Sequence, residues 1–408
     1  MRIVTDFQLM RSQTPLPDKI DVLYVIFDIG LTLENSAVFQ SQVLEQMLAM
    51  HSFGLSVSLI AMYNDPDRFN ELVGNKLDER NISFIALRGK NFVSDFFSMV
   101  LILREFRGAT RKAYVRGLWG PLLLKFANIF KPIPYNYDVR GDLKDEFSAI
   151  QSSKLKQKIY LMLESWGIKH ATNVTAVTKV LANKVSKEIG RNVSVIPCCI
   201  NYDLYTIDKV TTKYKRTDLG FDENDIVFVY SGGLSHYQQV PAMLKLWSAF
   251  IDHPNIKFLL LTNEDPHSHP VTLNDLKQFG EKLAHLSVPR SDIPGILSLA
   301  NVGFMLRDSR SLNNAASPVK FPEYLASGLA VAASPGTGDA SGLIEANQIG
   351  VLIDPLDLEG GKKVLNDFLT KLEFGGPENI AGNTRMIAKR YYDWSSFKEI
   401  LLKLYSVN

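Results

Sequence analysis

The sequence predicts an α/β protein with two domains, each built on a parallel β-sheet covered by helices. Its 408 residues exceed the size of one ordinary domain, and a hydrophobic fraction of 46% suffices for two packed cores. Short apolar runs alternate with segments whose apolar residues recur at helical spacing, as in successive βαβ units. A polar interval at 201–225 separates two such series. We therefore predict an N-terminal domain over 1–200 and a C-terminal domain over 201–389.

In the N-terminal series, a buried-strand pattern at 22–27 (VLYVIF) is followed by a loop containing Gly30 and by helical spacing over 40–50. Further strands are predicted at 56–62, 82–86, 112–115, 133–137, 173–177 and 193–196. Helices are predicted at 92–106, 121–130 and 179–188. The carboxyl ends of parallel strands meet at one edge of a sheet, where α/β proteins bind their ligands.

The C-terminal series repeats this order after the polar interval. Strands are predicted at 226–230, 256–261, 302–306, 330–333 and 350–353. Helices are predicted at 241–251, 273–283, 293–299, 361–372 and 394–405. One further helix is predicted to pass through Glu323, before the strand at 330–333.

The composition narrows the function classes. A formal net charge of +2 gives no overall signal for nucleic-acid binding. The two cysteines, Cys198 and Cys199, are neighbours and rarely bond to each other, so we expect no disulfides and a reducing compartment. The first residues lack the apolar core of a signal peptide, so we expect a cytoplasmic protein. The seven histidines are scattered without metal-ligand spacing, and no metal site is expected.

The basic residues are concentrated in one part of the chain. Between Arg104 and Arg191 there are 17 Lys/Arg and 7 Asp/Glu, which is a local balance of +10. Such a zone in a nearly neutral protein is typical of an anionic partner, and its apolar neighbours suggest an anionic membrane surface. The alternative is that these residues form ordinary solvated helix faces.

The most informative segment is 316–331, ASPVKFPEYLASGLAV. Ser317 and Pro318 are typical of a helix start, whose free amides attract phosphate. Lys320 would add a full positive charge there, and Glu323, three residues on, shares its face of the helix. A cation for phosphate and a carboxylate for sugar hydroxyls suit a nucleotide-sugar pocket. The alternative is a solvated Lys–Glu pair on an ordinary helix.

Two other stretches follow predicted strands of the C-terminal series. In SGGLSHYQQV at 231–240, Gly232 and Gly233 would let backbone amides approach a diphosphate. A plain tight turn is the alternative. Arg307 follows the strand at 302–306, where it could bind phosphate or sugar, or pair structurally with Asp308.

The segment at 316–331 resembles the signature of glycosyltransferase family four, a large retaining family. Glu323 matches the second Glu of that family's E-x7-E motif, which holds the donor ribose, whereas Ala315 stands at the first Glu position. The resemblance implies the GT-B fold, with two facing Rossmann-like domains, the donor on the second, and a C-terminal helix within 390–408 that crosses back to the first. The form S-P-x-K-x-x-E-Y-L-A is similar to a subgroup found in bacterial polysaccharide and cell-envelope synthesis.

The resemblance also implies roles for individual residues. The donor-binding residues would be Gly232, Gly233, His236, Val288, Ser317, Lys320 and Glu323. The acceptor side would include Gly30, Arg116 and Arg140, the arginines lying in YVRG and YDVRGDLKDEF. Lys320, Arg307 and Asp138 would serve catalysis. For Arg140, a structural ion pair with Glu146 remains the alternative.

Together these features predict a retaining glycosyltransferase that needs no metal or other cofactor. It would move a sugar from a nucleotide sugar to a glycan or lipid-linked acceptor in cell-surface polysaccharide synthesis, on the inner face of the membrane and without nucleic acid. Two alternatives remain: a GT-B sugar-nucleotide epimerase, and a non-catalytic sugar-nucleotide-binding subunit of a larger synthase. A nicotinamide dehydrogenase is disfavoured because DIGLTLENS, after the first strand, lacks G-x-G-x-x-G.

Overall fold

The chain was described from a computed structural model that covers residues 9–27, 39–130, 132–149, 153–206, 213–265, 273–308, 311–375 and 377–405. It divides into two compact units. The N-terminal unit is Met1–Pro197 with Phe397–Asn408, and the C-terminal unit is Cys198–Ser396. Gly30 lies outside the described residues.

The N-terminal unit contains a twisted sheet whose described strands are ordered β1-β4-β3-β2-β5-β6-β7-β8. The strands are β1 Leu9–Arg11, β2 Ile20–Ile26, β3 Val57–Tyr63, β4 Ser83–Arg88, β5 Thr110–Arg116, β6 Tyr135–Val139, β7 Asn173–Ala176 and β8 Ser194–Val195. They pair in parallel, except that β1 runs antiparallel to β4 at the edge. The parallel order places the carboxyl ends of β2, β5 and β6 side by side.

Helices connect these strands. Their bounds are α1 Glu45–Ser52, α2 Pro66–Phe69, α3 Asn75–Asp78, α4 Phe92–Phe106, α5 Gly120–Ala127, α6 Leu143–Ala149, α7 Lys154–His170 and α8 Lys179–Ile189. Short polar side chains start several of them: Asn91 Oδ1 accepts the Ser94 amide at 3.0 Å, and Thr178 Oγ1 accepts the Leu181 amide at 3.2 Å. α8 ends at Gly190, whose φ of 68° is a left-handed value that glycine adopts readily.

The C-terminal unit has a parallel sheet in the order β11-β10-β9-β12-β13-β14. Its described strands are β9 Ile226–Ser231, β10 Ile256–Leu261, β11 Leu283–Leu286, β12 Val302–Met305, β13 Ala330–Ala333 and β14 Gly350–Leu352. Its helices are α9 Val240–Ser248, α10 Leu273–Lys277, α11 Ile293–Leu297, α12 Lys320–Ala326, α13 Ala340–Asn347, α14 Leu358–Gly375 and α15 Pro377–Tyr392.

Both faces of the second sheet are buried, which explains its unbroken apolar strands. Phe228 and Tyr230 point into one core with Trp247, whereas Val227 and Val229 point into the other. This alternation along β9 follows from the period of two residues in a strand.

The last helix, α16 Lys398–Tyr405, belongs to the N-terminal unit. Tyr405 is buried there, and Lys112 Nζ of β5 donates a hydrogen bond to the Leu404 carbonyl. The prediction that the C-terminal helix returns to the first domain is therefore confirmed. No helix among the described residues is long and apolar enough to span a bilayer.

Candidate functional site

Three of the predicted donor-binding residues, Gly232, Lys320 and Glu323, lie together with Arg307 at the carboxyl edge of the C-terminal sheet. The loop after β9 begins with Gly232, whose φ of +143° is rarely adopted by other residues. A Cβ atom at Gly232 would lie 2.9 Å from Lys320 Nζ. The glycine thus allows the lysine ammonium group to lie directly against the backbone of the loop.

Lys320 is the first residue of α12 and is only 7% exposed. Its Nζ atom donates to Gln238 Oε1 at 3.1 Å and lies 4.0 Å from the centroid of the Tyr230 ring, a cation–π distance. Burial lowers the pKa of Lys320 well below its usual value, the charge of Arg307 lowers it further, and Glu323 raises it. An anion bound beside Nζ would favour the charged form again.

Arg307 follows β12 and is also largely buried. Its Nη1 atom donates to Asn313 Oδ1 at 3.2 Å, and Asn313 Nδ2 donates to Asp308 Oδ1 at 2.7 Å. Arg307 and Asp308 are therefore linked through Asn313. Arg307 Nε is buried and has no hydrogen-bond partner among the described residues, and burial lowers the arginine pKa. A buried donor of this kind is costly unless a ligand accepts from it.

Glu323 lies one helical turn after Lys320 and is 4% exposed. Its Oε1 atom is 3.0 Å from Arg290 Nη1, an ion pair without hydrogen-bond geometry. Arg290 therefore holds the carboxylate in place while Oε1 keeps the capacity to accept from a ligand hydroxyl. The alternative of a solvated Lys–Glu pair is excluded because both side chains are buried.

The structure corrects the expected role of Ser317 at the helix start. α12 begins at Lys320 with Val319 as its cap, and no side chain caps it. Ser317 Oγ instead accepts from the Cys198 amide at 3.0 Å. The hydroxyl therefore binds the amide of a residue 119 positions away, a pairing that has no signal in the local sequence. Pro322 falls in the first turn of α12, where its missing amide hydrogen costs nothing.

The remaining predicted donor residues have different surroundings. The Gly233 carbonyl accepts from the Tyr230 hydroxyl, and a Cβ at Gly233 would lie 2.5 Å from Oε1 of exposed Glu264. His236 is exposed at the start of the short helix His236–Gln238, and Val288 is buried in the core. The structure therefore brings together Gly232, Arg307, Lys320 and Glu323.

Several contributors were not predicted from the sequence. Tyr230 and Gln238 contact the Lys320 ammonium group, and Arg290 pairs with Glu323. Ala315, at the position of the missing first glutamate, is a buried methyl group. Only Tyr230, the penultimate residue of β9 and two positions before Gly232, offered a local signal.

The N-terminal unit holds a cavity of about 740 Å³ at the carboxyl ends of β2, β5 and β6. Arg116, Asp138 and Arg140 all line it. The other lining residues are Phe27, Phe92, Gly117, Leu118, Trp119, Tyr137, Val139, Gly141, Leu143, Glu146, Phe147, Tyr160 and Glu164. The cavity thus combines aromatic walls with a small number of charged groups.

Asp138 is the most constrained of these groups and is 3% exposed. It accepts hydrogen bonds from the Tyr114 hydroxyl and, at 2.9 Å, from Thr175 Oγ1. Its Oδ2 atom lies 3.4 Å from Arg140 Nη1, and Arg140 Nη2 donates to Gln42 Oε1 at 2.9 Å. The ion pair seen for Arg140 is thus with Asp138, where the sequence suggested Glu146. This network fixes the orientation of Arg140 in the cavity wall.

Two glutamates on facing helices form a second feature of the cavity. Burial, together with the charges of Glu146 and Glu188, raises the pKa of Glu164 to about 7. Burial also raises the pKa of Glu146. Trp119 and Tyr160 meet edge to face beside them, with ring centroids 5.9 Å apart. Glu164 was not predicted as a site residue, because a single acid on an amphipathic helix carries no sequence signal.

Neither a protein-family model nor a characterised protein sequence matches the chain. Solved structures do match it. HepE of Anabaena, in complex with UDP and glucose, has a TM-score of 0.70 at 16% identity over 94% of this chain and 98% of that one. Sucrose-phosphate synthase of Thermosynechococcus elongatus has a TM-score of 0.69 at 14% identity over the same shares. WaaG, a glycosyltransferase of lipopolysaccharide biosynthesis, has a TM-score of 0.63 at 12% identity over 95% and 100%. The chain therefore has the two-domain α/β fold of the GT-B glycosyltransferases, as the sequence predicted.

Proposed function

We propose that this protein is a glycosyltransferase that takes its sugar from a nucleotide-diphosphate donor. The observation that carries the proposal is the pair of buried cations, Lys320 and Arg307, beside Glu323 at the carboxyl edge of the second sheet. Two buried cations that repel each other are unfavourable in an empty site and favourable around a diphosphate. HepE, which shares the fold, was solved with UDP and glucose.

Each group has a defined task in the proposed reaction. Lys320 Nζ and Arg307 Nε, for which the described residues offer no acceptor, would stabilise the charge that develops on the leaving diphosphate. Glu323, held by Arg290, would accept from the ribose hydroxyls. Because two protein cations can balance the diphosphate, we propose transfer without a metal ion. We also propose retention of the anomeric configuration, with the leaving phosphate taking the proton of the acceptor hydroxyl.

The acceptor would occupy the cavity of the N-terminal unit. Its aromatic walls and few charged groups suit a glycan or the sugar portion of a lipid-linked precursor. We propose a role in cell-surface polysaccharide synthesis, supported by the likeness to WaaG. Such an enzyme would work at the inner face of the membrane, where the basic zone at 104–191 could meet anionic lipid.

One observation favours a second candidate, a sugar-nucleotide-binding subunit without catalysis. The position of the first motif glutamate is the buried Ala315, which offers no group for a sugar hydroxyl. Release of UDP in the presence of acceptor, measured with the purified chain alone, distinguishes the two functions.

Calorimetric titration with UDP tests the donor site. Lys320→Met keeps the side-chain volume and removes the charge, and Glu323→Gln keeps the shape of the carboxylate. Loss of one charged contact should weaken UDP binding by about 1.5–3 kcal/mol in each variant. Lys245→Ala, at an exposed position on α9, is the matched control and should bind like wild type. Wild-type affinity in both folded site variants would contradict the assignment.

A further inference from the structure

An exposed apolar surface lies on the N-terminal unit. It is formed by Val93, Phe97, Leu101, Phe126, Ile129 and Phe130. Phe130 is 99% exposed and Phe97 59%. Single exposed apolar residues are common on proteins, but a contiguous group with three phenylalanines indicates an interaction site.

The fold makes this surface continuous. Val93, Phe97 and Leu101 recur every four residues on α4 and so share its outer face. Phe126 is the penultimate residue of the adjoining α5, and Ile129 and Phe130 follow that helix directly. Both Phe97 and Phe126 contact the Phe96 ring, at centroid distances of 5.9 and 5.8 Å. The two helices thus present one apolar face, joined through Phe96.

The same helix forms a wall of the cavity. Phe96 contacts Phe27 and Phe92 at ring-centroid distances of 6.0 and 6.1 Å, and both of those residues line the cavity. The apolar surface and the cavity are therefore two sides of one aromatic cluster. A partner bound to the surface would lie next to the cavity.

The charges around this surface are mostly positive. Between 96 and 137 the chain has seven Lys/Arg and one Asp/Glu. Arg104 and Lys125 are exposed on α4 and α5. Of the two acids of α4, Asp95 is 2% exposed and accepts from the Lys90 amide, and the exposed Glu105 is paired with Arg11 at 3.3 Å. An apolar surface with an exposed basic border suits an anionic bilayer.

A second stripe of the same kind lies on α7, whose Tyr160 also lines the cavity. Leu155, Ile159 and Met162 are exposed at helical spacing. Exposed lysines lie among them: Lys154, Lys156 and Lys158. Two helices that wall the cavity thus have outer faces of apolar and basic residues.

Not every basic residue expected at such a surface is available. Arg111 pairs with Asp21 at 2.9 Å. Lys112 donates to Asn173 at 3.1 Å and to the Leu404 carbonyl, so it holds α16 on the sheet. Both serve the fold.

We infer that the apolar surface inserts into the headgroup region of an anionic bilayer, with Phe97 and Phe130 as its main anchors. This inference deepens the proposed location at the membrane and does not depend on sugar transfer. A second copy of the chain is disfavoured as the partner, because it would bring two basic borders together.

Sedimentation with vesicles tests the inference. We expect the full chain to pellet with vesicles of phosphatidylcholine and phosphatidylserine, and much less with phosphatidylcholine alone. The double variant Phe97→Ser, Phe130→Ser should lower binding at least tenfold while UDP affinity is unchanged. The matched control is Leu356→Ser, Met386→Ser, which alters two residues of the C-terminal unit that are 80% and 61% exposed.

Each outcome decides a different point. Equal pelleting of the double variant and the control would overturn the inference, as would equal pelleting of wild type with both kinds of vesicle. Unchanged vesicle binding together with lost self-association in the ultracentrifuge would assign the surface to a second copy. Vesicle binding without UDP binding would leave this inference standing and remove the proposed function.

Discussion

Glu164 in the cavity of the N-terminal unit should destabilise the fold at neutral and alkaline pH. Its pKa is raised from 4.5 to about 7, mainly by burial and secondarily by Glu146 and Glu188. Each unit of pKa corresponds to about 1.4 kcal/mol, so the ionised carboxylate costs about 3 kcal/mol in full. Replacing it with a neutral amide of the same shape, Glu164→Gln, should recover part of that energy.

The effect has a defined pH window. The folded state holds the Glu164 proton more tightly than the unfolded chain does, because the folded pKa is the higher one. Stability is therefore lost as pH rises from the unfolded pKa of 4.5 to the folded pKa of about 7, and the loss is constant above it. Between pH 5 and pH 8, Glu164→Gln should gain about 2–3 kcal/mol relative to wild type.

Thermal unfolding at the two pH values measures this gain. For a unit of this size, 1 kcal/mol moves the melting temperature by about 2–4 °C, so we expect a difference of about 4–12 °C that is present at pH 8 and small at pH 5. Glu79→Gln, at an exposed position that does not line the cavity, is the control and should show no such difference. A Glu164→Gln effect that is the same at both pH values would refute the electrostatic explanation.

Two further predictions concern packing and the proposed reaction. Gly303→Ala would place a Cβ atom 2.4 Å from the Tyr324 ring. Overpacking of this kind should lower the free energy of unfolding, measured in urea, by about 1–3 kcal/mol. Wild-type stability of the variant would show that the ring can move aside. Sugar transfer should retain the anomeric configuration, as assigned by NMR of the product. It should also continue in EDTA, because Lys320 and Arg307 supply the positive charge that a metal ion would otherwise provide. Inversion of the configuration, or activity that is lost in EDTA and restored by Mn²⁺, would contradict this proposal.

The architecture could be read from the sequence because strand and helix periods are local. Some elements were missed for physical reasons. The segment at 273–283 was predicted as one helix, but α10 ends at Lys277 and β11 begins at Leu283. β11 is a short edge strand, set by pairing with β10 and not by its own residues. Helix α15 was also missed, because its sequence is largely polar. It is stabilised by Ile387 and Ala388, which pack in the same core as residues of α12.

The candidate site was partly predictable for the same reason. Lys320 and Glu323 are three residues apart on one helix, so their shared face follows from helical geometry. Gln238, which accepts a hydrogen bond from Lys320, lies 82 positions away from it in the sequence. Cys198, whose amide donates to the Ser317 hydroxyl, lies 119 positions from that serine. Such pairings depend on the tertiary fold, and one sequence carries no record of them.

Each unit breaks the usual rule for buried charge at the carboxyl edge of its sheet. Lys320 and Arg307 are buried cations that repel each other, and Glu146 and Glu164 are carboxylates whose ionised forms oppose each other. Burial shifts each pKa toward the neutral form, because the loss of solvation outweighs any opposite charge nearby. Structural ion pairs such as that of Asp21 with Arg111 balance their charges, whereas these clusters do not. Apolar residues of similar volume at these four positions would make a more stable fold, so the imbalance is better explained by ligands that relieve it.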